Sequence, residues 1–455
     1  MSTFPSRGKA AVIAMPRRSH WWVPPAALEL ATVGSVVVAL AASNAVGLRI
    51  GSWIAAIVTV CLTVSAVVML AEVCASLRPR TPPPPQGPMP STTAIAAAYL
   101  PNEQHHLIGT LRHLLEQCDA AQVICAYNTP RPLPIESGLR RLAARHRHLV
   151  VLRVPTSSSK AENVNAALAV ATGDIIAIFD ADHHSQPGGF ERASRWIAAG
   201  YDVVQGSCRV RDGRRSRLAR TVAAEFDGMY CVTHPGRARV EGFAIFGGSN
   251  GYWRAHVLRS TMLDPSMLTE DIDASIRCLA AGARIVTDPS IVSTELAPAS
   301  CSALWTQRLR WAQGWTQVSR RRLVPALRSP HVVTRARVGL LWQFGWCEVL
   351  PWIATIGLGV LIHDLASAGL RGSTMAVSLA AFNLSVGPIH AFAGRARASE
   401  AHPRSWYLLY ALVSAVAYVE VLNTAKRMGH LRELTGRRNW IVTPRAEEPI
   451  VALAA

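Results

Sequence analysis

Two apolar stretches near the start of the chain limit its fold more than any other feature. Ala26–Val46 holds one charged residue, Glu29, and Ile50–Val73 holds one, Glu72, close to its end. Each is about the length that crosses the roughly 30 Å hydrocarbon core of a bilayer as a helix. Inside lipid, a lone segment can satisfy its backbone polar groups only as a helix. The short connection Gly47–Arg49 makes the pair a transmembrane hairpin, 26–75. A signal peptide is excluded, because the first stretch is too long and a second follows at once. The basic segment 1–25 carries Arg7, Lys9, Arg17 and Arg18, and Arg78 and Arg80 follow the hairpin. By the positive-inside tendency both ends of the hairpin are cytoplasmic.

The totals agree with a membrane protein. Half of the 455 residues are apolar and 17% are charged, against about 25% charged in ordinary soluble domains. The net charge of +18 crowds beside the apolar stretches, which suits anionic lipid headgroups. No helix-turn-helix or zinc-ligand pattern supports a nucleic-acid partner. The nine cysteines are scattered without a C-x-x-C pair, so reduced thiols in a cytosolic setting are expected.

The segment 76–90 contains Pro82-Pro83-Pro84-Pro85, a semi-rigid extended linker that marks a domain boundary. From 91 to 300 short apolar runs alternate with helical spacing. Thr93–Tyr99, Gln122–Tyr127, Leu149–Val154, Asp174–Phe179 and Asp202–Gln205 read as strands. Leu107–Cys118, Glu136–Arg145, Glu162–Ala171 and Phe190–Ala199 read as helices. That alternation predicts βαβ units on a parallel sheet. No G-x-G-x-x-G follows the first strand and no P-loop occurs, so neither a dinucleotide fold nor a P-loop NTPase is indicated.

Four clusters along this domain carry chemistry. Asp180-Ala181-Asp182 ends an apolar strand, where open α/β sheets bind ligands, and offers two hard oxygen ligands to a divalent cation. Upstream, Ser159-Lys160-Ala161-Glu162 places a lysine at a strand-to-helix loop, where it can meet a diphosphate as a point charge. Downstream, Thr269-Glu270-Asp271 follows the Gly-rich turn Phe246-Gly247-Gly248-Ser249-Asn250. Last, Gln307, Arg310 and Trp311 sit at helical spacing that predicts one shared face. Taken singly these are a solvated lysine, a strand-end turn, a helix N-terminus favoured by its dipole and an amphipathic helix. Their order and spacing together are far more specific.

In that order the chain resembles the membrane-integrated family 2 glycosyltransferases, the group with cellulose, chitin and hyaluronan synthases. The resemblance spans about residues 26–425 and is strongest over 155–318. It implies a GT-A-type nucleotide-diphospho-sugar transferase domain, α/β, flanked by N- and C-terminal transmembrane helices. It implies an inverting, metal-dependent transfer of a hexose from a nucleotide sugar, most readily a UDP-sugar, to a growing cell-envelope polysaccharide, made processively. The other readings are a single transfer to a lipid or other acceptor, and a non-catalytic membrane sensor of nucleotide sugars. Asp182 and Asp180 would hold Mg²⁺ or Mn²⁺, with His183 as a further ligand or hydrogen-bonding neighbour. Lys160, Asp180, Tyr99, Glu103, Asn128 and Arg310 would bind the donor. Asp271 would be the general base. Trp311, Gln307, Glu270, Gly248 and Ser249 would bind the acceptor. Two departures stand out. Leu100-Pro101 is inserted between Tyr99 and Asn102-Glu103, and the second strand ends in Asn128 where the family has an acid that reads the base.

Beyond 300 the chain turns Trp- and Arg-rich. Leu304–Arg322, within an amphipathic region 301–335, is expected at the membrane surface. Val338–Ile362, Ser373–Ala393 and Trp406–Leu422 read as further membrane segments within 336–425, before a basic tail, 426–455. The protein is thus expected in the cell membrane, multi-pass, with the catalytic domain cytoplasmic. Three crossings after that domain would leave the basic tail outside, against the positive-inside tendency. One segment is then re-entrant or interfacial, or one crosses twice, or the tail breaks the rule.

Overall fold

The computed structural model describes residues 25–437 except Arg49, Pro79, Gln86, Gly87 and 118–121. The rest of the basic N-terminal segment, Cys118 and residues 438–455 of the tail lie outside the described residues. The hairpin is α1 (Pro25–Ala45) and α2 (Ile50–Ser76). The α/β domain follows as β1 (Thr92–Tyr99), α3 (Leu100–Glu103), α4 (Leu107–Gln117), β2 (Gln122–Asn128), α5 (Ile135–Arg145), β3 (Leu149–Arg153), α6 (Lys160–Leu168), β4 (Ile175–Asp180), β5 (His184–Ser185), α7 (Gly189–Ala198) and β6 (Val203–Val210). It continues through α8 (Arg217–Gly228), a π-turn Met229–Thr233, α9 (His234–Glu241), β7 (Gly251–Arg254), α10 (Ala255–Thr261), α11 (Glu270–Ala280) and β8 (Ile285–Glu295). The C-terminal part is α12 (Cys301–Arg328), α13 (Thr334–Leu341), a π-turn, α14 (Cys347–Gly372), α15 (Thr374–Arg397), α16 (Arg404–Val413), a π-turn and α17 (Val419–Leu434).

The sheet order is β3-β2-β1-β4-β7-β6-β8-β5. β1 pairs in parallel with β2 on one side and β4 on the other, so the strand order reverses between β1 and β4. The expected parallel sheet is corrected in two places: β7 runs antiparallel to both β4 and β6, and the two-residue β5 runs antiparallel to β8. After β6 the chain leaves through α8 and α9 and re-enters by the Gly247–Asn250 turn at the ligand end of the strands, so β7 can only run downward. Alternation along β4 feeds two cores. Ile176 and Ile178 join a cluster with α6, α11 and α12; Ile175, Ala177 and Phe179 join one with α4, α5 and α7. Burial on both faces explains the unbroken apolar run in the sequence.

Among the described residues, three helices are long and apolar enough to cross a membrane: Pro25–Ala45, Ile50–Ser76 and Thr334–Gly369. α12 carries buried residues from Ala303 to Ala326 and packs against α11 and α17. α2 meets the domain at α9, where Gly236 lies under the backbone of Glu72 and Arg237 pairs with the Glu72 carboxylate at 3.1 Å.

A β-carbon on Gly236 would stand 2.2 Å from the Glu72 carbonyl oxygen. Gly236→Ala is therefore expected to destabilise by roughly 1–3 kcal/mol through forced separation of the helices, read as a lower Tm in detergent. Gly34→Ala, with no atom within 4 Å of the new carbon, is expected to leave Tm unchanged.

Candidate active site

The site forms at the carboxyl ends of β1, β2 and β4, at the point where the strand order reverses, which is where such sheets bind ligands. Register brings Tyr99 opposite Asn128 and Ala97 opposite Asp180. Lys160 is the first residue of α6. Ser159 caps that helix by accepting from the Glu162 N–H at 3.2 Å, and Glu162 reaches back to the Ser158 N–H at 2.6 Å. This reciprocal cap fixes the helix start and aims Lys160 inward.

Lys160 Nζ pairs with Asp180 Oδ1 and donates to the Gly248 carbonyl at 2.5 Å. Burial alone would depress its pKa, but Asp180, Glu270 and Asp271 outweigh that and hold it above the usual value. Asp180 responds in the opposite sense. Its burial would raise it, yet Lys160 and His183 keep it below the ordinary carboxylate value. The Asp180 N–H donates to Ser249 Oγ at 3.0 Å. Gly248 has φ +93°, and a β-carbon there would lie 2.7 Å from Asp271 Oδ2. Only glycine can bring that backbone so close to the carboxylate.

Glu270 and Asp271 open α11, where the helix dipole favours acids. Asp271 Oδ1 accepts from the Ile272 N–H at 2.9 Å. Burial pushes Asp271 up to about 7, with the Glu270 charge adding to the rise and Lys160 and Arg310 opposing it. Burial also raises Glu270. An acid poised near neutrality within a cleft has the character of a general base.

Two sets of groups have the chemistry to hold a metal ion. Asp180 and Asp182 are hard oxygen donors. Asp182 is buried, and its Oδ2 accepts from the Leu296 N–H at 3.2 Å. The Lys160 ammonium sits between Asp180 and the Gly248 carbonyl, so Asp180 already faces one cation. The second set is His183, Cys208 and Glu295, whose ligand atoms lie within 4.8 Å of one another. Burial pushes the Cys208 thiol well above its usual range, which disfavours the thiolate a metal needs. The Asp180–Asp182 pair is the better fit to Mg²⁺ or Mn²⁺.

The structure divides the expected roles on the remaining residues. Tyr99 and Glu103 come together across the inserted Leu100-Pro101, which forms the short α3; the Tyr99 N–H donates to Glu103 Oε2 at 2.7 Å. Asn128 uses its amide internally, donating to the Ser157 carbonyl and accepting from Asn163 Nδ2, both at 2.9 Å. Gln307, Arg310 and Trp311 do not share one face. Arg310 turns to α11 and donates to the Leu268 carbonyl at 3.3 Å. Trp311 packs into a third cluster with Leu304, Phe226 and Tyr418, with the Arg308 guanidinium 4.4 Å from its ring centroid. Adjacent helix residues diverge by about 100°, so 310 and 311 part company. Gln307 is buried and its side-chain oxygen has no hydrogen-bond partner.

Sequence reasoning missed several supports. Gln205 accepts from the Gly247 N–H at 2.8 Å and donates to the Ser249 carbonyl at 3.0 Å, pinning the Gly-rich turn. Gln317 accepts from the Leu268 N–H at 3.0 Å, and Gly314 seats against Thr269. The last two lie seven and ten positions after Gln307, a helical repeat visible in the sequence. Gln205 gave no signal beyond a polar residue ending a strand. His184, two residues past Asp182, stacks on His113 at 4.0 Å, and burial first, then Arg211 and His113, lower it to about 3. Its neutral imidazole is the form that ligates metals.

Residues 90–314 match the family model described as glycosyltransferase like family 2. A curated relative, the probable glycosyltransferase YdaM of Bacillus subtilis, is 25% identical over 174 residues, which is 36% of this chain and 40% of that protein. The match thus spans less than half of YdaM. The structure is similar to the mannosyltransferase PcManGT from Pyrobaculum calidifontis, solved with GDP-Man and Mn²⁺, with a TM-score of 0.57 at 19% identity, covering 85% of this chain and 100% of that one. The S. aureus TarS structure with UDP gives 0.39 at 14% identity, covering 79% and 97%.

The surroundings of Asp271 fix the sign of two pH shifts. A rate that needs its carboxylate falls as pH drops through about 7. Glu270→Gln removes a charge that raises Asp271 and is expected to move the acid limb of the kcat/KM profile to lower pH. Lys160→Met removes a charge that lowers it and moves the limb to higher pH. Limbs that stay in place in both variants overturn the assignment. Asn128→Asp sets a carboxylate against the Ser157 carbonyl, so it is expected to lower Tm as well as to alter nucleotide preference in a competition assay.

Proposed function

Because the chain belongs, through residues 90–314, to the family 2 glycosyltransferases, we propose that it transfers a hexose from a nucleotide sugar to a growing cell-envelope polysaccharide with inversion. The observation that carries this reading is the meeting of Lys160, Asp180, the Gly248 carbonyl and the neutral-range Asp271 at one strand edge. Asp271 takes the proton of an acceptor hydroxyl. The oxygen attacks the anomeric carbon as the bond to the diphosphate breaks, and one such displacement inverts the configuration. Lys160 and Arg310 hold the diphosphate. Asp182 and Asp180 would hold Mg²⁺ or Mn²⁺, which when bound supplies positive charge to the leaving group. PcManGT, whose structure holds Mn²⁺ and GDP-Man, supports a divalent ion and a nucleotide-sugar donor. A UDP-sugar is the first donor to test.

The catalytic domain lies on the cytoplasmic side of the cell membrane, where nucleotide sugars are made. α12, with Gln307 and Arg310 at one end, packs along α17 at the base of the membrane helices. The acceptor therefore meets the site beside the bilayer, and this favours a second reading, a single transfer to a lipid-borne acceptor.

The test is a membrane-fraction assay with a panel of labelled nucleotide sugars and Mg²⁺ or Mn²⁺, followed by product sizing. Asp271→Asn is expected to lower kcat by about 10²–10⁴, the usual share of a general base; wild-type turnover in that variant overturns the assignment. A ladder of long products supports the polysaccharide, a single lipid-soluble product supports the second reading, and no transfer or hydrolysis of any donor leaves the sensor.

A further inference from the structure

We infer that α16 and α17 form one in-plane membrane anchor, lying in the surface of the leaflet on the catalytic side. The continuous helical run Arg404–Leu434 has the length to cross a bilayer, on the order of 45 Å at 1.5 Å per residue. Its contacts nevertheless keep its whole length on one side. At the start, Trp406 covers Gly213 so closely that a β-carbon there would stand 2.5 Å from the ring, and Tyr407 bonds Asp227 of α8. In the middle, Tyr418 donates to Glu225 of α8 at 2.8 Å. At the end, Gly429 packs on the backbone of Gln313, and Gln313 donates to the Arg437 carbonyl at 2.6 Å. A crossing helix would carry one end about 30 Å from the domain.

The membrane helices give the same level. Arg427 pairs with Glu29, in the first turns of α1, and bonds the Pro351 carbonyl near the start of α14. Lys426 and His430 reach Glu348, also at the start of α14. The end of α15 is fixed there too, with Gly394 against the Gly228 backbone of α8. Residues 404–437 therefore stay where α1 begins, α2 ends, α14 begins and α15 ends. Away from these contacts Leu408, Leu412 and Val419 are exposed, at 58%, 65% and 51%. Leu408 and Leu412, four apart, share one stripe, and Val419, past the π-turn Ser414–Tyr418, adds a further exposed apolar side chain. That stripe is continuous with the apolar helices beside it, so its occupant is the lipid leaflet, with the stripe about 5–10 Å into the headgroup boundary. With α14 and the expected membrane segment Ser373–Ala393 of α15 as the two crossings after the catalytic domain, Lys426, Arg427, Arg432 and Arg437 return to the side where the positive-inside tendency places basic residues.

The test uses the full-length protein in proteoliposomes, with an environment-sensitive fluorescent amino acid encoded at 408, 412 or 419, read against nitroxide lipids labelled near the headgroup or at the chain end. All three positions are expected to be quenched more by the shallow label than by the deep one. A depth gradient from 408 to 419 means a crossing helix and overturns the inference, as does quenching by aqueous iodide alone. A C-terminal epitope on the unsubstituted chain gives a second measurement. It is expected to be reached by antibody from the same vesicle face as the catalytic domain; exposure on the opposite face overturns the inference. Neither readout needs turnover, so an inactive enzyme leaves the result intact.

Discussion

One ammonium group holds the catalytic cleft together. Lys160 stands among Asp180, Glu270 and Asp271, with the Gly248 carbonyl as its neutral partner. Without it three carboxyl groups would face one another in a desolvated space, and at least one would take a proton to relieve the repulsion. The surrounding architecture serves to deliver that cation. The Ser159–Glu162 cap fixes the first turn of α6, the glycine at 248 lets the backbone close over Asp271, and Gln205 keeps that turn in shape. The same arrangement sets two acids apart: Asp180, bonded to the lysine, is held below the ordinary carboxylate value, while Asp271, desolvated beside Glu270, is pushed up to about 7. Separated acidities of this kind are what a site needs to bind charge with one carboxylate and move a proton with another.

Much of this was legible in the sequence. The strand Ile175–Asp180 announced itself because burial on both faces removes the polar alternation, and the clusters around Lys160, Asp180 and Asp271 all reach one edge of the sheet. What stayed hidden was set by distant partners. β7 is four residues long, and its direction depends on where the chain returns from α9, which no local pattern records. The amide of Asn128 looked free for a ligand, yet it is held by Ser157 and Asn163, residues 29 and 35 positions away. Trp311 looked like a partner of Arg310, but the packing of α8 and α17 decides which way that ring faces.

The membrane half of the chain follows the same logic. Apolar length identified α1 and α2 and the long helix through α14. Length alone could not tell a crossing from an in-plane run for α16 and α17, because the distinction lies in side-chain bonds to Glu225, Asp227 and Gln313. The buried arginine at 427 shows how a costly charge is kept. It is wholly enclosed and meets Glu29, Glu420, Thr424 and the Pro351 carbonyl together. Removing one partner from such a group costs more than the pair contributes.

The pattern of contacts on α12 has a consequence for how this enzyme can diverge. Arg310, Gly314 and Gln317 address the start of α11, while Arg308 and Trp311 address α8 and α17, with Arg308 bonded to Glu225 at 2.6 Å. Each residue inserted into a helix turns everything after it by about 100°. An insertion or deletion anywhere between 307 and 317 would exchange the two audiences, setting side chains meant for the cleft against the membrane side. Descendants of this chain must inherit the length of this stretch unchanged.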